Sequence, residues 1–477
     1  MGQMRMPKYM TIKSDLQNKI ITGVYKPGDL IPSDNELMRS LNVSKSTITQ
    51  ALRQLESDGF ITRQQGKGSF VTDRNTSKPS LSFYISPMDP EEQSFWKTLI
   101  DSFNEECPDV AVLPVFLSND SAPVRDKLFQ AFASGNAPDM ITLDGPDMPY
   151  WVYMQSLLPL ETYLDSDFTT SILDQIIRQG SYRGHLYHLG YTESSLCILY
   201  NKELFSSLGI IVPSSINDAW SWDAFFHVCE LIKKKTSYQY PLLMDSGKGI
   251  STLSGEWISY AGLTVIHQNG GTVFNPELTM SNGYVNSPAT IQAMQWVGEL
   301  FHKYHFTHME MISEKLPDDF AMSLSLPSVY IQNRKRNDNI GIMPLPHGVL
   351  SASPRGSWGI SVTRQAKNPE QCIRFIKYVF TIRNQIRLSK CTGMPVMKEI
   401  YEVMDSLEPS SVRPNILLDQ LTNTSFFRPQ TPAYPFFSSH FALASRNICM
   451  GCDVRTELNN LADLVDNHLT RHRYYND

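Results

Sequence analysis

The chain of 477 residues contains no uncharged apolar run near the ~18 residues that a membrane-crossing helix needs, so no membrane partner is expected. Its first thirty residues carry Lys8, Lys13, Lys19 and Lys26 and no continuous apolar stretch, which argues against a secretory signal. Cysteine is scarce and odd in number: Cys107, Cys197, Cys229, Cys372, Cys391, Cys449 and Cys452 build no disulfide framework and fit reduced thiols in a cytoplasmic protein. Cys449 and Cys452 form a lone C-x-x-C with no second pair at zinc-finger spacing, and His185 and His188 flank a short strand that would aim them obliquely apart. No metal site is expected from either. The G-x-S-x-G, Walker and G-x-G-x-x-G patterns are missing from any strand-turn-helix context, so nothing requires an enzyme or a cofactor.

What is present is ordinary soluble composition, 41% hydrophobic and 19% charged, in a chain long enough for two or three cores of ~100–200 residues each. Charge is unevenly shared. Residues 1–78 hold 12 Lys and Arg against 7 Asp and Glu, a balance of +5; the remaining 30 against 41 leave −11. A basic head on an acidic body suits a nucleic-acid-binding module joined to a domain with another task.

The head has the pattern to match. Between residues 9 and 22, Ile12, Leu16, Ile20 and Ile21 recur at helical spacing before Gly23 and the Pro27-Gly28 turn. Ser33 and Glu36 form a capping box for a second helix reaching about Leu41. After the hinge at Asn42, Ser44 can cap a third helix whose Ile48, Ala51, Leu52 and Leu55 form one stripe ending at Asp58-Gly59. Residues 60–63 and 69–72 read as two strands around a glycine-rich basic turn, 64–68. Three helices followed by such a hairpin give a winged helix-turn-helix.

In order along the chain stand Gly23, Pro27-Gly28, Leu30-Ile31-Pro32-Ser33, Glu36-Leu37, Val43-Ser44-Lys45-Ser46-Thr47, Ala51-Leu52, Leu55, Gly59-Phe60-Ile61 and Gly66-Lys67-Gly68-Ser69-Phe70-Val71. Over residues 9–71 this resembles the GntR family of bacterial transcription regulators. The resemblance implies that the start of the third helix enters the major groove and the wing tip the minor groove, implicating Ser44, Lys45, Ser46, Thr47, Thr49, Gln65, Gly66 and Lys67, with Asn35 and Arg53 near the backbone. Hydroxyls at a helix N-terminus suit phosphate oxygens, and Lys45 can donate to a guanine edge. Better-known members carry Arg at the positions of Lys45 and Thr49, so the operator sequence does not carry over.

Residues 1–75 are therefore expected to form the DNA-binding domain, 76–80 a linker, and 81–477 a separate body. In the body, strand patterns at 81–86, 110–116 and 139–143 alternate with helical ones at 92–106 and 124–133, an α/β sheet with helical crossovers. Ligands of such sheets sit beyond the carboxyl ends of strands, which singles out Asp89, Asp144 and Asp147. Further on come the segments 182–190 and 196–205, Ser221-Trp222-Asp223, Gly270-Gly271, Ala321-Met322 and Gly356-Ser357-Trp358-Gly359. In this order they resemble the family 1 extracellular solute-binding proteins, the sugar-capturing components of ABC importers. The resemblance implies a two-lobed periplasmic-binding-protein-like α/β domain, lobe one near 81–190 and 355–381, lobe two near 191–354 and 382–477. It places Asp89, Asp144, Asp147, Glu193, Trp257, Tyr260 and Trp358 at the cleft, while Trp222 and Trp296 are expected in the core. Sugar sites pair aromatic faces with carboxylates and amides.

A winged helix standing where such transport proteins carry an export signal implies a different use of ligand binding. The expected function is a cytoplasmic transcription regulator, dimeric on a two-fold operator because one winged helix reads few base pairs, with a mono- or oligosaccharide effector. Two other classes stay open at this point: a body that has lost its ligand and serves as a dimerisation scaffold, and an enzyme-derived body binding pyridoxal phosphate, for which no cofactor-lysine motif is visible.

Overall fold

The computed structural model describes residues 8–475 apart from 22, 58–59, 65–66, 73–77, 88, 118–123, 245–255, 309–318, 335, 357 and 402–414. In the head, α1 (Lys8–Ile21), α2 (Asp34–Leu41) and α3 (Lys45–Ser57) precede β1 (Ile61–Gln64) and β2 (Gly68–Val71). The capping box forms as the spacing requires: the Glu36 N–H donates to Ser33 Oγ, and the Ser33 N–H donates to the Glu36 carboxylate at 2.8 Å. Those bonds from Ser33 hold the Glu36 carboxyl below its usual range. Asn42 ends α2 in the left-handed region, φ 49°, a conformation that Asn tolerates better than most side chains. The apolar stripe of α3, Ile48, Ala51, Leu52 and Leu55, is fully buried against Leu16, Ile31, Leu37, Phe60 and Val71. The hairpin pairs Ile61 with Val71 and Gln64 with Gly68, and Leu30 adds a bridge to Phe70.

The body begins with the expected alternation: β3 (Ser80–Ile85), α4 (Pro90–Glu106), β4 (Ala111–Phe116), α5 (Val124–Ala133) and β5 (Met140–Asp144). Short helices α6 (Met148–Tyr153), α7 (Ser166–Ser171) and α8 (Asp174–Gln179) follow, then the hairpin β6 (Ser181–Tyr182) and β7 (His185–Leu186), and β8 (Leu189–Gly190). β3 runs parallel to both β4 and β5. A late strand at Trp358–Val362 returns antiparallel between β5 and β8 and completes a five-stranded sheet. Phe83, Trp96, Leu99 and Phe103 meet Phe375 and Ile376 of helix Pro369–Val379 in its core.

The second sheet holds Cys197–Asn201 at its centre, flanked by Met322–Ser325 and Ile340–Met343, both antiparallel to it; Leu242–Leu243 extends one edge. Helices Trp222–Lys235, Glu256–Gln268 and Pro288–His302 share its core, and the latter two pack with Tyr434–Cys449 and Val454–His472 in an adjoining helical core. Trp222 and Trp296 stack at 4.5 Å against these cores, as their helical spacing predicts. Bridges Glu193–Met394 and Ser194–Gly356 mark where the chain passes between the two sheets.

Two expected boundaries are corrected. The sequence opens the second part of lobe one at residue 355, yet the Arg355 N–H donates to the Phe426 carbonyl beside the strand pair Ser353–Pro354 and Ser425–Phe426, which lies against helix Glu256–Gln268 of the second lobe. The sequence also places residues 382–400 in the second lobe, yet Leu388, Cys391, Val396, Met397 and Ile400 pack into the first core, and helix Ile382–Thr392 lies against α4. An amphipathic pattern tells which residues are buried but not which sheet receives them. Among the described residues, no helix is long and apolar enough to cross a membrane.

Candidate functional site

The first site is the exposed face of α3. Ser44 is the cap of this helix: its Oγ accepts from the Thr47 N–H at 3.3 Å and shares hydrogen bonds with Ser46 Oγ and Thr47 Oγ1 at 2.9 and 2.8 Å. The first turn carries no acid and places Lys45 at its head, against the helix dipole, an arrangement that costs ~0.3–1 kcal/mol by itself. Lys45, Ser46, Thr49, Gln50 and Arg53, spaced for one helical face, line a shared shallow concavity opposite the buried stripe. Polar hydroxyls and amide flanked by two cations can take phosphate oxygens and base edges.

Asn35 is exposed on α2 beside Asp34, whose carboxylate takes both bonds of the Arg63 guanidinium at 2.9 Å. That pair, which the sequence pattern did not reveal, ties the wing strand to the helix-turn-helix. Lys67 is exposed at the wing turn, its N–H donating to the Gln64 carbonyl at 3.0 Å. Gln65 and Gly66 lie outside the described residues.

The second site lies at the junction of the two sheets. β5 ends at Asp144, and the antiparallel register sets Trp358 directly beside it. Asp144 is gripped bidentately by Arg428, at 2.7 and 2.5 Å, with Arg428 only 3% exposed at its side chain. The same guanidinium lies 5.0 Å from the centre of the Tyr260 ring. Asp144 and Tyr260 are thus gathered by one arginine, with Trp358 beside Asp144 in the sheet register. Glu193 is fully buried at the crossing and meets Arg355 at 3.4 Å. Burial raises its carboxyl to about 7, although Arg355 and the Ser194 and Gly356 N–H groups pull the other way. Burial likewise pushes the Tyr260 hydroxyl well above its usual range.

The remaining carboxylates stand apart from that group. Asp147 is held by Arg125 of α5 at 2.9 Å, within the first lobe. Asp89 caps α4 by accepting from the Glu92 N–H, and it also accepts from Gln332 Nε2 at 2.6 Å, a contact between the lobes. Trp257 falls in helix Glu256–Gln268, but its side chain lies outside the described residues. Sequence reasoning missed Arg355, Phe427 and Arg428; the only local signal was an aromatic-Arg-Pro run at Phe426-Phe427-Arg428-Pro429. His185 is exposed beside Glu161, whereas His188 is buried against Ser361 Oγ at 3.2 Å, so the two share no site.

The head has a winged-helix fold that presents a basic, polar helix, and the body is a two-sheet receptor fold with polar groups gathered where its lobes meet. Residues 8–71 match the model of bacterial regulatory proteins, gntR family, and residues 98–408 match that of bacterial extracellular solute-binding proteins. The chain belongs to the bacterial extracellular solute-binding protein family, with a gntR-family head fused upstream. The head is 39% identical over 71 residues to the arabinose metabolism transcriptional repressor of Halalkalibacterium halodurans, covering 15% of this chain and 19% of that one. It is 40% identical over 74 residues to the probable fructoselysine utilization operon transcriptional repressor of Escherichia coli, covering 16% and 30%. The chain therefore spans under a third of the length of these relatives. The body is similar in fold to the ABC substrate-binding protein Lmo0181 from Listeria monocytogenes, with TM-score 0.69 and 17% identity over 82% of this chain and 99% of that one. It is also similar to UgpB from Mycobacterium tuberculosis, with TM-score 0.70 and 20% identity over 83% and 99%. Both families are of regulatory and solute-binding kinds.

Proposed function

We propose that this chain is a cytoplasmic transcription regulator, acting as a homodimer on a two-fold operator, whose DNA affinity is set by a carbohydrate held between the lobes of its body. The observation that supports it most is the fusion itself: a helix with a polar, cationic outer face shares one chain with a two-lobed receptor fold. The metabolite-utilisation repressors resembling the head support the regulatory half of the reading. In this mechanism Lys45, Ser46, Thr49 and Arg53 address the duplex, and Asp144, Tyr260, Glu193 and Trp358 border the effector. Binding closes the lobes and moves the heads. A full switch from 1:99 to 99:1 needs the effector to prefer one state by ~5.5 kcal/mol.

A second reading has one observation in its favour. Asp144, Asp147 and Glu193 each already meet an arginine, which suits a body whose cleft is internally satisfied and which serves as a dimerisation scaffold. A stability screen of the full chain against mono- and oligosaccharides separates the two. An effector at 100 times its Kd stabilises the body by ~2.7 kcal/mol, and a panel silent throughout selects the scaffold.

A further inference from the structure

We infer that the effector is an anionic carbohydrate, its phosphate or carboxylate group clamped between Arg178 of one lobe and Arg355 of the other beside Phe427. The inference rests on the reading of the body as a solute trap and adds the charge of the solute. Arg178 projects from α8, whose Ile176 and Ile177 are anchored in the first core. Arg355 and Phe427 come from the second lobe, where Arg355 donates to the Leu421 carbonyl and Phe427 follows the strand Ser425–Phe426. The two guanidinium carbons lie 5.3 and 5.5 Å from the centre of the same Phe427 ring. Like charges gathered at one half-buried aromatic are an unusual arrangement, since each is attracted to the ring but repelled by the other.

The nearby carboxylates do not neutralise the pair. Asp144 gives both oxygens to Arg428, and Asp147 is taken by Arg125. Glu193 offers Arg355 one long bond of 3.4 Å, and burial pushes its carboxyl upward against the pull of Arg355, which weakens it as a counter-charge. Among the described residues no carboxylate bonds Arg178, which is exposed. An oxyanion placed between the two forks receives charge-assisted bonds from both, a geometry for which guanidinium is better suited than ammonium. Because the forks belong to different lobes, the same anion removes their repulsion and draws the lobes together. That couples recognition of the charged group to closure.

The test uses the full chain, wild type beside Arg178→Gln, with Arg446→Gln as an exposed arginine far along helix Tyr434–Cys449. The probes are inorganic phosphate against chloride at matched ionic strength, then glucose 6-phosphate, glucuronate, glucose and maltose, read by thermal stability and calorimetric titration. The expected result is stabilisation by phosphate and tighter binding of an anionic sugar than of glucose. Both should weaken by about tenfold to a hundredfold in Arg178→Gln and persist in Arg446→Gln, as for loss of one charged hydrogen-bond partner. Glucose 6-phosphate against glucuronate separates ester from carboxylate. Phosphate held by the DNA-reading face is common to all three proteins and so cancels in the comparison. A phosphate response that is nil, or equal in wild type and Arg178→Gln, overturns the clamp. Maltose or glucose bound as tightly as glucose 6-phosphate and glucuronate, with no preference lost in Arg178→Gln, overturns it while leaving the solute trap standing, whereas silence across the whole neutral and anionic panel removes both.

Discussion

Replacing Arg428 with Met deletes both bonds to Asp144 while keeping much of the side-chain volume, and leaves a carboxylate with 12% side-chain exposure without its bonded cation, keeping just the through-space attraction of Arg125, which is itself bonded to Asp147. Breaking one partner out of a buried pair costs about 3–5 kcal/mol, because the stranded charge keeps its desolvation penalty and loses its compensation. Loss of the contact with the Tyr260 ring adds ~0.5–2 kcal/mol. The body's unfolding can be followed selectively, since all seven tryptophans lie between Trp96 and Trp358 and none is in the head. Urea titration by tryptophan fluorescence should therefore show the body of Arg428→Met weakened by several kcal/mol. Adding Asp144→Leu should recover most of that loss, because an apolar pair in place of a buried ion pair is often neutral or stabilising. A cost below ~1 kcal/mol for Arg428→Met, or a double variant no better than the sum of the singles, would refute the claim that this pair is buried and fastens the lobes.

Lys45→Ala should weaken binding to a duplex selected by the wild-type chain and lower the slope of log affinity against log salt by ~0.9, with sugar-induced stabilisation unchanged; an unaltered slope would remove Lys45 from the phosphate contacts. Trp358→Ala should do the reverse, weakening sugar binding and sparing DNA affinity in fluorescence anisotropy. Glu193→Gln should stabilise the body relative to wild type increasingly as pH rises. The wild-type carboxyl is raised from 4.5 to about 7 in the fold, so the native state binds the extra proton, and stability is lost as pH climbs from 4.5 through 7. Between those two values the gap separating the proteins should widen by ~1.4 kcal/mol for each step of one in pH and close again near pH 4.5, and a pH-independent gap in urea titrations would contradict it. Leu52→Ala should cost the head ~2–5 kcal/mol, seen as faster hydrogen exchange at residues 48–55 with the body's exchange unaltered.

The head is readable from sequence because its determinants are local. Ser33 and Glu36 are three residues apart, the stripe of α3 repeats within eight, and the wing closes across a short turn. What escapes depends on partners distant in sequence. Asp144 stands out as a cleft carboxylate from its place after a strand, but its arginine comes 284 residues later; Arg355 follows Glu193 by 162. Neither arginine has a periodicity or motif that announces such a pairing. The same limit explains residues 382–400: their amphipathic helix declares a buried face and conceals which core buries it. Ser44 is assigned to DNA on position alone, and its Oγ is committed to the start of α3, so any contact with a phosphate must share that oxygen.

If a solute in the body governs the head, the coupling has to be reciprocal. The most direct test is a pair of titrations on the full chain: duplex affinity with and without a saturating sugar identified by the stability screen, and sugar affinity with and without saturating duplex. The account predicts that both constants change by the same factor, at least about fivefold, corresponding to ~1 kcal/mol of coupling. Affinities that are each measurable and each indifferent to the other ligand would contradict it.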